Sequence, residues 1–170
     1  MFKLIATVMI AAGFALGGRH LAVLQKKRVS FLESIILMIS TAETRLKYAC
    51  LPVSDLLKIF NENTALSELE FIRSCREKVC FGEPFPDAWK ESIENEAEFC
   101  RLLGNSAKNL VSMGSELGST DLDGQLSCCG YYKNLFEADL EEQREKSEKY
   151  SRLFPSMGLL LGISAAILII

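Results

Sequence analysis

Two long runs without a charged residue, one at each end of the chain, constrain its fold more than any other feature. The first run covers residues 4–18 and the second covers 153–170. A helix rises about 1.5 Å per residue, and the apolar core of a bilayer is about 30 Å thick. The second run is therefore long enough to span a membrane, and the first is marginal. We expect transmembrane segments at 1–20 and 153–170, flanking a polar domain at 21–152.

The charges beside the two apolar runs predict their orientation. Basic residues follow the first run and precede the second: Arg19, Lys26, Lys27 and Arg28, then Arg144, Lys146, Lys149 and Arg152. Loops rich in lysine and arginine remain in the cytoplasm. We therefore expect a protein of the cell membrane whose 21–152 domain is cytoplasmic.

Each apolar end also has an alternative interpretation. Lys3, the apolar run and Ala15-Leu16-Gly17 resemble a cleavable signal peptide, which would give an exported, tail-anchored structural protein with disulfides. The tail could instead be a buried core helix. However, Ser164 is the only polar residue in 159–170, and a helix that is apolar all round favours lipid.

Glycines four residues apart occur in both predicted spans, as Gly13 and Gly17 and as Gly158 and Gly162. This spacing lets two membrane helices approach closely. It predicts that the spans pack on each other or on neighbouring subunits of a homo-oligomer. Chance spacing is the alternative, because glycine is common in membrane helices.

The middle of the chain predicts an all-α fold, a cytoplasmic bundle of about six helices. Apolar residues recur at intervals of three and four from 29 to 48, which is typical of a helix with one buried face. Further helices are predicted to begin near residues 54, 67, 86, 96 and 122. Gly104 marks a break within the fifth, and the single Trp89 is expected in the core.

The last of these helices is predicted to continue towards the membrane as a stalk. The sequence EEQREKSEKYSR at 141–152 has no apolar face. Acidic residues precede basic ones by four positions in three pairs, which stabilises a helix exposed to water. The pairs are Glu142 with Lys146, Glu145 with Lys149, and Glu148 with Arg152.

Charge is shared unevenly along the domain. Residues 19–48 carry six basic and two acidic side chains, whereas residues 62–98 carry four basic and ten acidic ones. The acidic segment predicts a surface for a basic protein partner. Its candidate residues are Glu91, Glu94, Glu96 and Glu98. An ordinary solvated helix face is the alternative. A net charge of −3 and the lack of a basic stripe argue against nucleic-acid binding.

The chain lacks the patterns of known catalytic and metal sites. Its six cysteines include no C-x-x-C pair, and His20 is its only histidine. It has no phosphate loop, no G-x-S-x-G and no dinucleotide fingerprint. We therefore predict no catalytic residue, cofactor or metal. The cysteines are expected to pack between helices, with a redox or metal sensor as the alternative.

Two segments resemble the stage III sporulation protein AB family. LGSTDLDGQL at 117–126 is similar to that family's LG-x-x-D-x-x-x-Q signature, and LKYACLPVSDLL at 46–57 is similar to its Y-G-x-P-L segment. The matching residues are Gly118, Asp121 and Gln125 in the first and Tyr48 and Pro52 in the second. Ala49, Val53 and Pro155 depart from the family pattern.

The resemblance implies a membrane subunit of the channel complex between mother cell and forespore in endospore-forming bacteria. It implies a helical domain similar to those of the type II secretion platform protein F. The expected location is the mother-cell membrane around the forespore. The expected partners are an AA-like sporulation ATPase in the mother-cell cytoplasm and other channel subunits. The acidic segment then becomes the candidate surface for the ATPase.

Overall fold

The computed structural model describes the backbone of residues 2–49, 51–117 and 119–169, and the side chains of 22–49, 51–117 and 119–149. This described part consists of helices and turns and contains no strand. The all-α prediction is thus confirmed. The helices are α1 (Phe2–Ala49), α2 (Val53–Glu62), a 3-10 helix (Thr64–Leu66), α3 (Glu70–Cys80), α4 (Phe85–Glu94), α5 (Ala97–Leu103), α6 (Asn105–Glu116) and α7 (Leu122–Ile169).

The chain forms two compact units. One is Ser30–Leu140, which we call the bundle, and the other combines Met1–Val29 with Glu141–Ile170. Both α1 and α7 run through the two units. Where side chains are described, no helix has an apolar stretch long enough to cross a bilayer. The predicted spans at 1–20 and 153–170 contain the four glycines and lie outside the residues whose side chains are described.

Several helix boundaries differ from those predicted. The first helix is continuous from Phe2 rather than beginning near residue 29. The predicted fifth helix is divided into two at Gly104, whose φ is 56°, which agrees with the break predicted there. The third helix begins at Glu70, after the 3-10 helix. Pro86 lies in the first turn of α4 together with Asp87, as expected for that helix start.

A row of five aromatic rings forms the centre of the bundle. Phe31 of α1 contacts Phe99 of α5 at a centroid distance of 5.1 Å, and Phe99 contacts Phe71 of α3 at 5.4 Å. Phe71 contacts Trp89 of α4 at 5.1 Å, and Trp89 contacts Phe85 at 5.4 Å. Edge-on and tilted ring contacts at these distances stabilise a core beyond the burial of area. The row therefore ties four helices together.

Trp89 also joins α4 to α6. Its side chain is 1% exposed, and its Nε1 donates a hydrogen bond to the Leu110 carbonyl oxygen at 2.9 Å. The ring lies against Gly114, one turn further along α6, where a Cβ would be 2.0 Å from Trp89 Cδ1. The prediction that Trp89 is a core residue is confirmed.

The charged segment after residue 140 is helical, as predicted. Lys146 lies 2.5 Å from Glu142, and Lys149 lies 3.7 Å from Glu145. The third predicted pair involves Arg152, which lies outside the described side chains. Gln143 is only 3% exposed, so one face of this segment is covered. The predicted stalk is thus a helix that is exposed to water on its other faces.

Candidate functional site

The exposed face of α4 carries part of the predicted acidic surface. The opposite face of α4 is buried in the core through Ala88, Trp89, Ser92 and Ile93. Helical periodicity then turns the intervening positions outwards. These exposed positions are Asp87, Lys90, Glu91 and Glu94. Glu91 and Glu94, three residues apart, therefore share one accessible face.

Glu91 is exposed but not isolated. Its carboxylate lies 2.6 Å from Lys78 Nζ of α3, and its side chain remains 57% exposed. The hydrogen bond from Lys78, and then the charge of Lys78, hold the pKa of Glu91 below its ordinary value. Glu91 is thus ionised at neutral pH, although Lys78 offsets part of its charge.

Glu96 occupies a different environment from the other three candidates. Glu94 and Glu98 are exposed, whereas Glu96 is half-buried where α4 meets α5. Burial, followed by the charge of Glu70, raises the pKa of Glu96 to about 7. A hydrogen bond with the backbone of Phe71 partly opposes this shift. Glu96 therefore contacts the first turn of α3, and it offers a partner less charge than Glu94 or Glu98.

Replacing Glu96 with glutamine is expected to remove a pH dependence of stability. The folded pKa, about 7, lies above the ordinary value of 4.5, so the folded state retains this proton when the unfolded state has lost it. Stability is therefore expected to fall as the pH rises from about 4.5 to 7. Glu96→Gln should be more stable than the wild type at pH 8 and similar to it at pH 4.5. Urea unfolding at both values measures this, with Glu98→Gln as control. An equal pH dependence in Glu96→Gln would contradict the assignment.

The residues of the family signature shape the start of α7. Asp121 Oδ1 accepts a hydrogen bond from the Gly124 amide at 3.0 Å, which is the bond of an N-cap residue. Gln125 Nε2 donates to the Thr120 carbonyl oxygen at 3.0 Å. Gly118 lies outside the described residues. Asp121 and Gln125 thus stabilise a turn locally.

An ion pair joins the two helices at which the resembling segments begin or end. Glu43 of α1 and Lys133 of α7 approach to 3.5 Å. From Glu43 the chain continues six residues to the end of α1, and from Lys133 it extends back eleven residues to the start of α7. The ion pair thus lies three residues before the segment 46–57 and seven residues after the segment 117–126.

One exposed aromatic residue, at the end of α3, was not identified from the sequence. Phe81, directly after α3, is 92% exposed. Tyr48 is also exposed, at 78%, but it lies at the end of α1. The sequence signal was available, since Gly82 and Pro84 follow Phe81 and mark a turn. Burial of Phe81 could not be judged without knowing where α3 ends.

Burial makes three of the cysteines unreactive. Cys75, Cys128 and Cys129 are buried. Desolvation is the main cause that raises the pKa of Cys75 and of Cys128 to about 12 and that of Cys129 to about 11. Such thiols remain protonated at neutral pH and react slowly. Cys80 is exposed, and Cys50 lies outside the described residues.

The described residues contain no cluster of three or more histidine, cysteine, aspartate or glutamate side chains placed to hold a metal ion. The Ser106 hydroxyl donates to the Asp139 carboxylate, and the Tyr132 hydroxyl donates to Glu116 Oε1 at 3.0 Å. These bonds join α6 to α7 and are accounted for by packing. The exposed acidic face of α4 remains the candidate functional site, as the surface that the sequence predicts for a basic partner.

A family model described as stage III sporulation protein AB matches residues 3–170. The match covers nearly the whole chain, and the chain belongs to this family. Searches of curated proteins and of solved structures found no match. Membership of the family implies a role in sporulation.

Proposed function

We propose that this member of the stage III sporulation protein AB family is a non-enzymatic platform subunit. Its helical bundle recruits a cytoplasmic ATPase to the channel complex between mother cell and forespore. Two terminal spans hold it in the mother-cell membrane around the forespore. The uncharged runs at both ends and their basic flanks support this arrangement.

The acidic face of α4 is the observation that carries the proposal. Glu91 and Glu94 are accessible together, and Glu98 follows in the first turn of α5. Acidic surfaces steer basic partners towards the correct encounter and suppress wrong ones. The proposed partner is therefore an AA-like sporulation ATPase with a basic contact surface. Glu96 contributes less, because it is half-buried and its pKa is raised.

The bundle acts by position rather than by chemistry in this proposal. The aromatic row and the contact of Trp89 with α6 fix α4 relative to α3, α5 and α6. A rigid face loses little conformational entropy when a partner binds. Other channel subunits, or further copies of this chain, would contact the membrane segments through their paired glycines.

Reversing two charges on this face is expected to weaken the ATPase complex at least tenfold. In Glu91→Lys/Glu94→Lys the acidic face becomes basic, so it should repel a basic partner. Affinity is measured by titrating purified ATPase onto the full chain in nanodiscs at low and physiological salt. The matched control is Glu137→Lys/Glu141→Lys, which makes the same change in net charge at exposed positions of α7.

The two variants separate a local effect from a general one. Weaker binding by the α4 variant alone supports the proposed surface. Equal affinity of both variants and the wild type would remove the α4 face from the proposal. If the wild-type chain itself binds no ATPase, the recruiting function is wrong.

A further inference from the structure

We infer that Phe81 is the apolar anchor of the acidic face and inserts into an apolar pocket rimmed by basic residues on the partner. This inference rests on the proposed function, since it names the chemistry of the ATPase surface that the bundle would recognise. The inference is argued from three observations: the turn that holds Phe81, the exposure of its ring, and the charged residues near it in the chain.

The turn after α3 fixes the position of Phe81. The Glu83 amide donates to the Lys78 carbonyl oxygen at 3.1 Å, and the Gly82 amide donates to the Val79 carbonyl oxygen at 3.0 Å. This pair of bonds, with Gly82 at φ 95°, is the Schellman arrangement that ends many helices. A residue with a side chain would be strained at position 82.

The backbone of Phe81 is also held directly. Its amide donates to the carbonyl oxygens of Glu77 and Lys78 at 3.1 and 3.0 Å. Pro84, whose φ is fixed by its ring, follows the turn and precedes α4. The ring is therefore displayed from a defined backbone, although its own side chain is 92% exposed.

Such a residue is suited to bind a pocket. An exposed phenylalanine contributes nothing to the core, and burying it at an interface removes a large apolar surface from water. Because the backbone is already ordered, binding restricts little beyond the two side-chain torsions. Aromatic anchors of this kind dominate the affinity of many interfaces.

The charges near Phe81 select the type of pocket. Glu77 lies one turn earlier on α3, and Glu83 follows in the turn. Asp87 stands one turn before Glu91 on α4. Two basic residues, Lys78 and Lys90, lie among them, and Glu91 engages Lys78 at 2.6 Å. The chain from Glu77 to Glu91, which includes Phe81, thus carries more acidic than basic side chains, and this excess of negative charge complements a basic rim.

Tyr48 provides a matched comparison within the same bundle. It is a similarly exposed aromatic residue, at 78%, but Lys47 approaches its ring at 5.7 Å and Arg45 is close in sequence. Its surroundings are therefore basic. A partner that prefers an acidic environment would use Phe81 and leave Tyr48 free.

The test compares the affinity of purified AA-like ATPase for the full chain in nanodiscs and for three variants. Phe81→Ala removes the anchor, Phe81→Leu retains an apolar side chain, and Tyr48→Ala is the control. We expect Phe81→Ala to lose at least tenfold in affinity, Phe81→Leu to lose no more than threefold, and Tyr48→Ala to match the wild type. An unchanged unfolding midpoint shows that each variant is folded.

The outcomes distinguish this inference from the function on which it rests. If the wild type binds and Phe81→Ala binds within twofold of it, Phe81 is not the anchor, and the recruiting function remains. If Phe81→Ala and Tyr48→Ala weaken binding equally, recognition is not specific to the acidic side, and the inference is wrong. If the wild type does not bind, the proposed function and this inference are both wrong.

Discussion

Replacing Gly114 with alanine is expected to destabilise the bundle by about 2–3 kcal/mol, the cost of forcing an extra group into a packed core. The new Cβ would lie 2.0 Å from Trp89 Cδ1 and 2.3 Å from Nε1, so one of the two helices must shift. The indole cannot simply rotate away, because its Nε1 is bonded to Leu110 and its ring is packed between Phe71 and Phe85.

The measurement is urea unfolding of the full chain in detergent, followed by circular dichroism. Gly130→Ala on α7 is the matched control, since a Cβ there has no heavy atom within 4 Å. Alanine is a better helix former than glycine by about 1 kcal/mol, so the control should be neutral or more stable. If Gly114→Ala also gains stability, the close packing of Trp89 on α6 is wrong.

Replacing Phe71 with alanine is expected to cost about 3–5 kcal/mol, as for other buried phenylalanines. Phe71 is fully buried and contacts both Trp89 and Phe99, so its loss interrupts the aromatic row in the middle. The cavity would lie between α3, α4 and α5. Fluorescence of the single Trp89 reports the unfolding transition, because the indole is buried in the folded state.

The matched control is Phe81→Ala, which removes the same side chain ten residues later. Phe81 is 92% exposed, so its loss should change stability by no more than about 0.5 kcal/mol. Equal costs for the two variants would contradict the assigned burial of Phe71 and Phe81. If Phe81→Ala alone lost much stability, α3 would have to continue beyond Cys80, and the turn assigned to its C-terminus would be wrong.

The pattern of the sequence predicts the helices better than it predicts their ends. Apolar spacing places Trp89 in the core, and Gly104 marks the turn between α5 and α6. The continuity of α1 through residue 29 was missed, because a run predicted to span a membrane and a periodic segment predicted to join a bundle look like separate elements. No local signal requires a break there, and the structure contains none.

The candidate site was predictable as a charge distribution but not as a surface. Four glutamates in 91–98 look equivalent in the sequence, yet Glu96 is half-buried near Glu70 and the other three are exposed. That difference depends on how α4 and α5 meet, which is a tertiary property. Phe71 and Phe81 present the same problem. Phe71 lies within α3 and is buried, whereas Phe81 follows the end of α3 and is exposed.

The signature residues show a further limit of predicting function from a sequence motif. Asp121 and Gln125 form hydrogen bonds within their own turn, so their roles there are explained by the start of α7. A motif therefore identified the family, while the accessible acidic face indicated a function.

The orientation of the bundle tests the central claim most directly. Cys80 is an exposed thiol, and a variant that keeps only this cysteine reports from the bundle. A second variant carries its only cysteine after Ile170. Both are expressed in cells that are not sporulating and treated with a maleimide that cannot cross membranes. We predict that Cys80 reacts only after lysis and that the added cysteine reacts in intact cells. Labelling of Cys80 in intact cells would contradict the account, because the bundle would then be out of reach of a cytoplasmic ATPase.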